Sequence, residues 1–341
     1  MDKVRFGIVG VGISGKTYAR SLLDGQIKNG VLAAVYDIAS AQVEWLKETD
    51  IKIFDSAADM FKSGEIDAVL IATPHYFLPP LAMEAAIHNL HVLIESPVGV
   101  YTKQVNEMNE TLTKCNIIFS VMLQHRTSGA FKAMRQLITD GAVGEVRRTV
   151  CYYSQNYYNI DGWRATWKGA GGGFLLNECF HILDLWQWIC GMPSKVTAFC
   201  KIGKRHDIRV EDEVNAYVEY KNGATGFFTV CTDALDITCI EVIGERGKLA
   251  YENGKLKLYL EPDYKSKAVK TDKKPPAHVD VIAAFADNIL DKGNQCLKGE
   301  EGINGLILSN AMYLSSWLGK TIPLPLDEVL FLSELRKKYV Y

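Results

Sequence analysis

Three glycines near the start of the chain have the spacing of a phosphate-binding loop. Gly10, Gly12 and Gly15 form the pattern G-x-G-x-x-G between the apolar run Val4–Val9 and an amphipathic stretch typical of a helix. The first glycine permits a tight turn, the second lets backbone approach a pyrophosphate, and the third lets the helix pack closely on the strand. The first N–H groups of that helix attract phosphate oxygens. The intervening positions that we assign to the same site are Ile13 and Ser14.

An acidic residue follows this loop at the distance expected for a dinucleotide site. Asp37 ends the second apolar run, about 20 residues after the last glycine. A carboxylate there accepts hydrogen bonds from both hydroxyls of an adenosine ribose and repels a 2′-phosphate. The spacing therefore predicts an NAD site and disfavours NADP. The alternative interpretation is a glycine-rich turn followed by a surface aspartate.

A second group of reactive side chains lies in the segment 171–185. If this segment is one helix, Asn177, His181 and Asp184 share a face, at positions i, i+4 and i+7. A polar stripe on an otherwise apolar helix is either satisfied internally or functional. A histidine in a site exchanges a proton near neutral pH. The alternative is a core histidine with no chemical role.

Aromatic side chains are concentrated between residues 152 and 167. Their flat rings suit the apolar faces of sugars, and Arg164 among them could bind a carboxylate or phosphate. The alternative is that about half of these rings fill the core or an oligomer contact. The rings are those of Tyr152, Tyr153, Tyr157, Tyr158, Trp163 and Trp167.

Polar residues also follow the later apolar runs of the first 125 residues, where ligands gather in open α/β sheets. His75 either caps a turn or contacts a ligand, and Arg126 either meets substrate or forms a salt bridge. The residues at these strand ends that we assign to the cofactor site are Thr73, Pro74, His75, Glu95 and Gln124.

Together these segments resemble the glucose–fructose oxidoreductase / inositol dehydrogenase / MocA family (Gfo/Idh/MocA), over nearly the whole chain. The cofactor loop of that family is similar to GIVGVGISG, and its fourth and fifth strands are similar to ATPHYFLPP and HVLIESPVGVYTKQV. Its second-domain signature is similar to GWRATWKGAGGGFLLNECFHILDLWQWICGMP, a form close to members that act on sugars and sugar nucleotides.

The resemblance implies a Rossmann domain that holds NAD or NADP and a sheet domain that carries substrate. The implied reaction transfers a hydride between the nicotinamide and a hydroxyl-bearing carbon of a sugar, polyol or glycoside. It places Glu95 near the nicotinamide ribose and the turn after the fourth strand beside the cofactor. The implied partner is a second copy of the chain, in a homodimer or homotetramer formed through an exposed sheet face. The residues that we assign to substrate are Tyr153, Trp163, Arg164 and Asp184.

Ser96 departs from the family pattern. The family usually reads Glu-Lys-Pro where this chain has Glu95-Ser96-Pro97, and the lysine is normally the proton-transfer group. We therefore assign catalysis to His181, Asn177 and Ser96, with His181 as the remaining proton carrier. Asn177, where many members have aspartate, is a milder departure. Other accounts are a non-catalytic NAD-binding module, a deliberate substitution that traps a complex, and NAD-assisted glycoside cleavage.

The pattern of apolar runs predicts two domains, 1–124 and 125–341. In the first, short strands alternate with helices, including one after Ser40, as in a doubly wound parallel sheet. The second is predicted to be α+β, with a large, mainly antiparallel open sheet whose hairpin turns include Asn253-Gly254. Its other predicted elements are a helix over Phe174–Ile189, a surface loop over 262–276, and final helices over Val279–Leu290 and Glu301–Leu318.

Composition excludes several other classes of protein. The 341 residues are 48% hydrophobic and 23% charged, and the net charge is −2, so no basic field favours nucleic acid or an anionic membrane. No apolar run reaches 18 residues. The first residues run directly into structure, which predicts no secretory signal. Eight scattered cysteines without a C-x-x-C pair predict reduced thiols in the cytoplasm and no metal site.

Overall fold

The structure is a computed structural model that describes residues 2–156, 162–232, 235–272, 274, 277–293 and 296–339. Its contacts divide the chain into two compact units. The first unit comprises Met1–Gly99, Lys103–Gln124 and Pro276–Ile303. The second comprises Val100–Thr102, His125–Pro275 and Asn304–Tyr341.

The strands, in chain order, are β1 (Val4–Val9), β2 (Gly30–Tyr36), β3 (Lys52–Ile53), β4 (Ala68–Ile71), β5 (His91–Ile94), β6 (Phe119–Val121), β7 (Val146–Gln155), β8 (Lys195–Ile202), β9 (Glu211–Glu219), β10 (Thr225–Thr232), β11 (Ile237–Gly244), β12 (Gly247–Glu252), β13 (Lys255–Leu260), β14 (Ser266–Ala268) and β15 (Ile322–Pro323). The helices are α1 (Ile13–Leu23), α2 (Ala57–Lys62), α3 (Leu78–Ile87), α4 (Thr102–Thr113), α5 (Gly129–Thr139), α6 (Trp167–Ala170), α7 (Phe174–Asn177), α8 (Phe180–Cys190), α9 (His278–Ile289), α10 (Ile303–Leu318) and α11 (Glu328–Lys338). Within the described ranges, no helix is long and apolar enough to cross a membrane.

The first unit contains a six-stranded parallel sheet in the order β3-β2-β1-β4-β5-β6. Every residue of β4 is buried, as expected for a strand covered by helices on both faces. The order reverses direction at β1, so the carboxyl ends of β1 and β4 flank the point where doubly wound sheets bind ligands. The predicted fold class is confirmed for this unit.

The predicted helix after Ser40 is wrong. The chain instead forms two short 3₁₀ turns, Ser40–Gln42 and Glu44–Leu46. Val43 and Leu46, three residues apart, are both buried in the apolar core of this unit. Burial of these two apolar side chains holds the segment against that core.

The segment 276–303 belongs to the first unit, although the sequence reading placed it in the second domain. The apolar face of α9, including Ile282 and Phe285, joins the core that surrounds β1. The Phe285 ring lies 6.2 Å from that of Phe6 on β1. Burial of this face draws the segment away from its neighbours in sequence, because apolar side chains gain free energy wherever they leave water.

The second unit contains a nine-stranded sheet in the order β14-β13-β12-β11-β7-β10-β9-β8-β15. All neighbours whose register is defined pair antiparallel except β7 and β10, which are parallel, so the sheet is mainly antiparallel as predicted. Side chains on one face pack against helices: the Trp186 ring of α8 lies 5.3 Å from that of Phe228 on β10. On the other face, Phe199 and Phe227 are 66% and 44% exposed.

The predicted helix over Phe174–Ile189 is two helices, α7 and α8, separated at Glu178 and Cys179. The N–H groups of both separating residues donate to the carbonyl of Phe174, at 3.0 and 2.9 Å. Because one carbonyl accepts both bonds, the regular pattern is interrupted, and α8 begins a new set of bonds from Cys179. The predicted i, i+4 relation of Asn177 and His181 is therefore wrong.

The C-terminal part of the chain has more structure than predicted. The short strand β14 lies within the predicted loop over 262–276 and pairs with β13. An additional helix, α11, follows α10, and the Asp327 side chain caps it by accepting the Leu330 N–H at 2.9 Å. An aspartate before an apolar stretch is an N-cap signal that would have predicted this helix.

Candidate functional site

The glycine loop has the geometry that its sequence pattern predicts. Gly10 has a φ of +86°, and a Cβ atom there would lie 2.7 Å from the Ala72 carbonyl oxygen. A Cβ at Gly15 would lie 1.9 Å from the Gly10 carbonyl oxygen, so only glycine allows α1 to pack this closely. A Cβ at Gly12 would meet nothing within 4 Å. Gly12 therefore borders open space at the start of α1.

The N-terminus of α1 has no side-chain cap, so its first amides point toward that space without a side-chain acceptor. Ile13, the first helical residue, is 85% exposed. An uncapped helix N-terminus attracts anionic groups through its free N–H groups and its dipole. The loop thus has both the room and the donors for a pyrophosphate.

Asp37 is held against the glycine loop. Its carboxylate accepts the Val11 N–H at 2.6 Å and the Ala39 N–H at 2.8 Å. A carboxylate has about four acceptor positions, so these two bonds leave capacity for the hydroxyls of a ribose. The loop and the acidic residue, which lie far apart in sequence, are therefore adjacent at the carboxyl ends of β1 and β2.

The turn after β4 contributes an unsatisfied polar atom to the same region. The Oγ1 atom of Thr73 is buried without a hydrogen-bond partner in the described structure, and its Cγ2 atom lies beside Gly10. Pro74 precedes the short 3₁₀ turn His75–Phe77, and His75 is buried, at 8% exposure. A buried hydroxyl without a partner is costly unless a ligand supplies one.

Glu95, at the end of β5, is tied to the glycine loop through side chains. Its carboxylate accepts hydrogen bonds from the hydroxyls of Tyr18 and Ser14 and from the Ser96 N–H. Burial raises the pKa of Glu95, and these three donors oppose that rise because they stabilise the ionised form. Burial and the carboxylate likewise raise the pKa of Tyr18, so its phenol stays protonated and donates.

The hydroxyl of Ser96 is bonded to the backbone. Ser96 Oγ donates to the Met122 carbonyl oxygen at 2.9 Å, next to the end of β6. A serine hydroxyl ionises far above neutral pH, so this group cannot carry the proton that a lysine carries at the equivalent position of the family. Gln124, which begins the short 3₁₀ turn Gln124–Thr127, is partly buried.

The residues of the first unit fit a dinucleotide. The open space at Gly12, the uncapped N-terminus of α1, the carboxylate of Asp37 and the unsatisfied hydroxyl of Thr73 are arranged along one edge of the sheet. The first two suit the pyrophosphate, and Asp37 suits an adenosine ribose.

In the second unit, His181 lies beside a second histidine. The ring of His125 is 5.1 Å from that of His181, centroid to centroid. Burial, together with the neighbouring His125, lowers the pKa of His181 to about 3. Burial also lowers the pKa of His125, although the charge of Asp184 opposes this effect. Both rings are therefore neutral at neutral pH, and each has a nitrogen that can accept a proton.

Asp184, which the sequence analysis assigns to substrate, is part of a buried salt bridge. Its two carboxylate oxygens accept bonds from Nε and Nη2 of Arg126, both at 2.7 Å, and each side chain is 1% exposed. Gln187 donates to the same carboxylate at 3.0 Å. The pair joins the residue after His125 to α8, which carries His181. It therefore positions both histidines.

Asn177 presents an unused acceptor. Its side-chain amide nitrogen donates to the carbonyls of Gly172 and Gly173, at 3.0 and 2.9 Å. Its Oδ1 atom is buried and has no hydrogen-bond partner among the described residues. The two donated bonds fix the side-chain amide, so the acceptor has one orientation.

Trp163 and Arg164 lie together on the short 3₁₀ turn Gly162–Ala165. Both are partly exposed, with the guanidinium 4.4 Å from the indole ring. Trp167 is buried, at 2% exposure, and packs edge-on against Tyr313, so it belongs to the core. The Tyr153 ring stacks on Phe174, and burial raises the pKa of Tyr153. Tyr157 and Tyr158 lie outside the described residues.

Sequence reasoning missed three residues of these clusters. Tyr18 and His125 stand next to assigned segments, but only the fold brings them to Glu95 and His181. Glu211, on β9, accepts the Gly173 N–H at 2.8 Å from a position 38 residues away along the chain. A charged residue that begins an apolar strand, as in Glu211-Asp212-Glu213-Val214, was the available signal for Glu211.

Both units match known family models. Residues 4–123 match the model described as an oxidoreductase family with an NAD-binding Rossmann fold, and residues 131–250 match the Gfo/Idh/MocA C-terminal domain. The chain belongs to the Gfo/Idh/MocA family. It is therefore an NAD-binding oxidoreductase, a dehydrogenase that acts on CH–OH groups.

This Gfo/Idh/MocA protein also resembles curated proteins, at less than 30% sequence identity. It is 28% identical to trans-1,2-dihydrobenzene-1,2-diol dehydrogenase of Bos taurus over 250 residues, which are 72% of each chain. It is 27% identical to the rhizopine catabolism protein MocA of Rhizobium meliloti over 191 residues, which are 56% of this chain and 58% of that protein.

Solved structures share the fold over almost the whole chain. The WlbA dehydrogenase of Bordetella pertussis, solved with NADH and UDP-GlcNAcA, has a TM-score of 0.84 at 23% identity and covers 95% of this chain and 99% of its own. Levoglucosan dehydrogenase, solved with NADH and levoglucosan, has a TM-score of 0.81 at 18% identity, with coverages of 95% and 99%. Within the described ranges of our structure, no three His, Cys, Asp or Glu side chains are arranged to hold a metal ion.

Proposed function

We propose that this protein oxidises a hydroxyl of a sugar, polyol or glycoside with NAD, and that His181 accepts the hydroxyl proton. The observation that carries the proposal is the pair of neutral imidazoles, His125 and His181, on elements joined by the Arg126–Asp184 salt bridge. NAD, when bound, accepts the hydride. The chain itself must then accept the proton, and general base catalysis of this kind contributes about 10²–10⁴ in rate.

The two histidines differ in the charges that surround them. The pKa of His181 is lowered to about 3 by burial and by His125, so its imidazolium is unfavourable. The charge of Asp184 raises the pKa of His125 and partly offsets the effect of burial there. His125, whose ring lies 5.1 Å from that of His181, is the second group near His181 that can accept a proton.

A hydroxyl-rich substrate is supported by the neighbouring groups of the second unit. Asn177 Oδ1 is an unused, oriented acceptor. Trp163 offers a flat ring, and the guanidinium of Arg164 beside it offers donors. The neighbours of this fold that were solved with levoglucosan and with UDP-GlcNAcA support a carbohydrate ligand.

NAD is the proposed cofactor in preference to NADP. Asp37 already accepts two backbone N–H groups, which hold its carboxylate beside the glycine loop. A 2′-phosphate placed against this carboxylate would meet a like charge. The ribose hydroxyls of NAD would instead donate to its remaining acceptor positions.

A second copy of this chain is the proposed macromolecular partner. Paired residues form a row across the open face of the large sheet, with aromatic and apolar side chains at its centre. The row is Thr197, Tyr217, Phe227, Val150 and Glu241. Phe227→Asp should therefore dissociate the oligomer in sedimentation; a wild-type monomer would contradict the proposal. The eight free cysteines support a location in the reducing cytoplasm.

The proposed function is tested by nicotinamide absorbance with a panel of sugars, polyols, glycosides and sugar acids. We expect reduction of NAD with at least one of them. NAD binding without reduction by any member of the panel would contradict the proposal and would favour a non-catalytic NAD-binding module. Release of a sugar without net NAD reduction would instead indicate NAD-assisted glycoside cleavage.

A further inference from the structure

Glu211 is a buried acid that has no part in the mechanism described above. It begins β9, its side chain is fully buried, and it accepts three hydrogen bonds. The donors are the Gly173 N–H at 2.8 Å, the Leu175 N–H at 3.0 Å and the Tyr313 hydroxyl at 2.8 Å. All three donors reach it from elements distant in sequence.

The turn that Glu211 holds is the one that holds Asn177. Gly172 and Gly173 accept the two bonds from the Asn177 side-chain amide. The same turn is packed without space on its other side: a Cβ at Gly173 would lie 2.1 Å from the Glu211 carbonyl oxygen, and one at Gly172 would lie 2.3 Å from the Tyr313 hydroxyl. The Glu211 carboxylate, the Gly172–Gly173 turn and the Asn177 amide are therefore connected by hydrogen bonds.

We propose that Glu211 is a positioning residue, whose ionised carboxylate fixes the Gly172–Gly173 turn and thereby the acceptor atom of Asn177. An ionised carboxylate is acceptor-only and matches three donors. A protonated carboxyl is uncharged, so it accepts the three bonds more weakly, and it carries a hydrogen of its own. The proposal rests on the proposed function only in the last step, from Asn177 to a substrate.

The electrostatic surroundings make this carboxyl sensitive to neutral pH. Burial raises the pKa of Glu211 to about 7, against the opposing effect of the Tyr313 hydroxyl and of the backbone N–H groups of Glu211, Gly173 and Leu175. The titratable groups that interact with it are Tyr313 on α10, Cys179 before α8 and Cys200 on β8, all of which are neutral near pH 7. No Lys or Arg among the described residues pairs with Glu211, in contrast to Asp184, which has Arg126.

The ionisation can be followed in the full-length protein without any substrate. The chain has three Phe–Leu pairs, Phe77-Leu78, Phe174-Leu175 and Phe331-Leu332. Labelling with ¹³C-carbonyl phenylalanine and ¹⁵N-leucine therefore selects three amide signals, one of which is the Leu175 N–H that donates to Glu211. We expect this signal alone to move downfield as pH rises, with a midpoint near 7, because its acceptor becomes charged.

Variants test whether the pH-dependent shift of the Leu175 signal, called the Leu175 step below, reports the ionisation of Glu211. Glu211→Gln should abolish the Leu175 step. Tyr313→Phe should move the midpoint of the step to higher pH, because the Tyr313 hydroxyl stabilises the ionised carboxylate of Glu211. Glu219→Gln, at the other end of β9, is the matched control and should leave it unchanged. A wild-type Leu175 signal that stays constant from about pH 5.5 to about 8.5, or a step that survives in Glu211→Gln, would overturn the proposal.

The link to the site is tested separately by kinetics. With any substrate found active, kcat/KM of the wild type should rise through the same midpoint, and Glu211→Gln should lose this rise while Glu219→Gln keeps it. A Leu175 step without a matching change in kcat/KM would overturn the positioning role. Failure of the proposed function is recognised independently, because it removes turnover and leaves the Leu175 titration intact.

Discussion

Cofactor choice depends on the single carboxylate of Asp37. We predict that the wild type binds NAD more tightly than NADP and that Asp37→Ser reduces the difference, because the substitution removes the charge that repels a 2′-phosphate. Calorimetric titration of both cofactors into both proteins measures this. Equal or tighter binding of NADP by the wild type would contradict the role given to Asp37.

Ser96 stands where the family resemblance leads us to expect a lysine. Its hydroxyl donates to the Met122 carbonyl, and replacement by lysine loses that bond at a cost of about 1 kcal/mol. We predict that Ser96→Lys raises turnover by up to about 10²–10⁴, mainly in kcat, because an ammonium stabilises the charge that develops on the substrate oxygen. Steady-state kinetics checks this.

The control for this substitution is Ser96→Ala, which loses the same bond without adding a proton carrier. It should leave turnover close to that of the wild type. If Ser96→Lys folds and binds NAD and substrate but gives no rate gain over Ser96→Ala, position 96 does not limit the reaction and the histidine pair is sufficient.

At the scale of elements, a buried ion pair orients the helix that carries His181. Arg126 and Asp184 are both 1% exposed, and their contact is bidentate. Removal of one partner leaves an uncompensated buried charge. We therefore predict that Arg126→Leu lowers the free energy of unfolding by about 3–5 kcal/mol, measured by urea denaturation.

The double variant Arg126→Leu/Asp184→Leu distinguishes charge from packing. It removes both buried charges, so it should recover much of the stability lost by the single variant. Its turnover should stay low, because α8 and His125 are no longer joined. A double variant as unstable as Arg126→Leu would indicate that packing of the long side chains, and not the buried charge, dominates at this place.

The helices and strands that could be predicted are those that depend on a local sequence pattern. The strands of the parallel sheet are short apolar runs between helices, and the glycine loop is a contiguous motif, so neither requires knowledge of distant residues. The break between α7 and α8 could not be predicted, since it depends on two amides that share the Phe174 carbonyl. The salt bridge of Asp184 could not be predicted for a related reason: its partner, Arg126, is 58 residues away along the chain.

At the scale of the whole molecule, the position of a segment along the chain does not determine the unit in which it packs. The segment 276–303 follows the large sheet in sequence but packs in the first unit, because α9 buries Ile282 and Phe285 in the core around β1. Periodicity identified this helix but not the core that it joins. The hydrogen-bond partners of the candidate residues could not be predicted, because a motif identifies a residue and only the fold supplies its neighbours.

We propose that this molecule transfers a hydride from a carbinol carbon to NAD while His181 takes the proton. The most direct measurement uses an active substrate deuterated at the reacting carbon, with mass spectrometry of the nicotinamide product. We predict one deuterium in the NADH formed by the wild type, and a rate about 10²–10⁴ lower in His181→Ala with unchanged NAD affinity. Unlabelled NADH, or a fully active His181→Ala, would contradict the account.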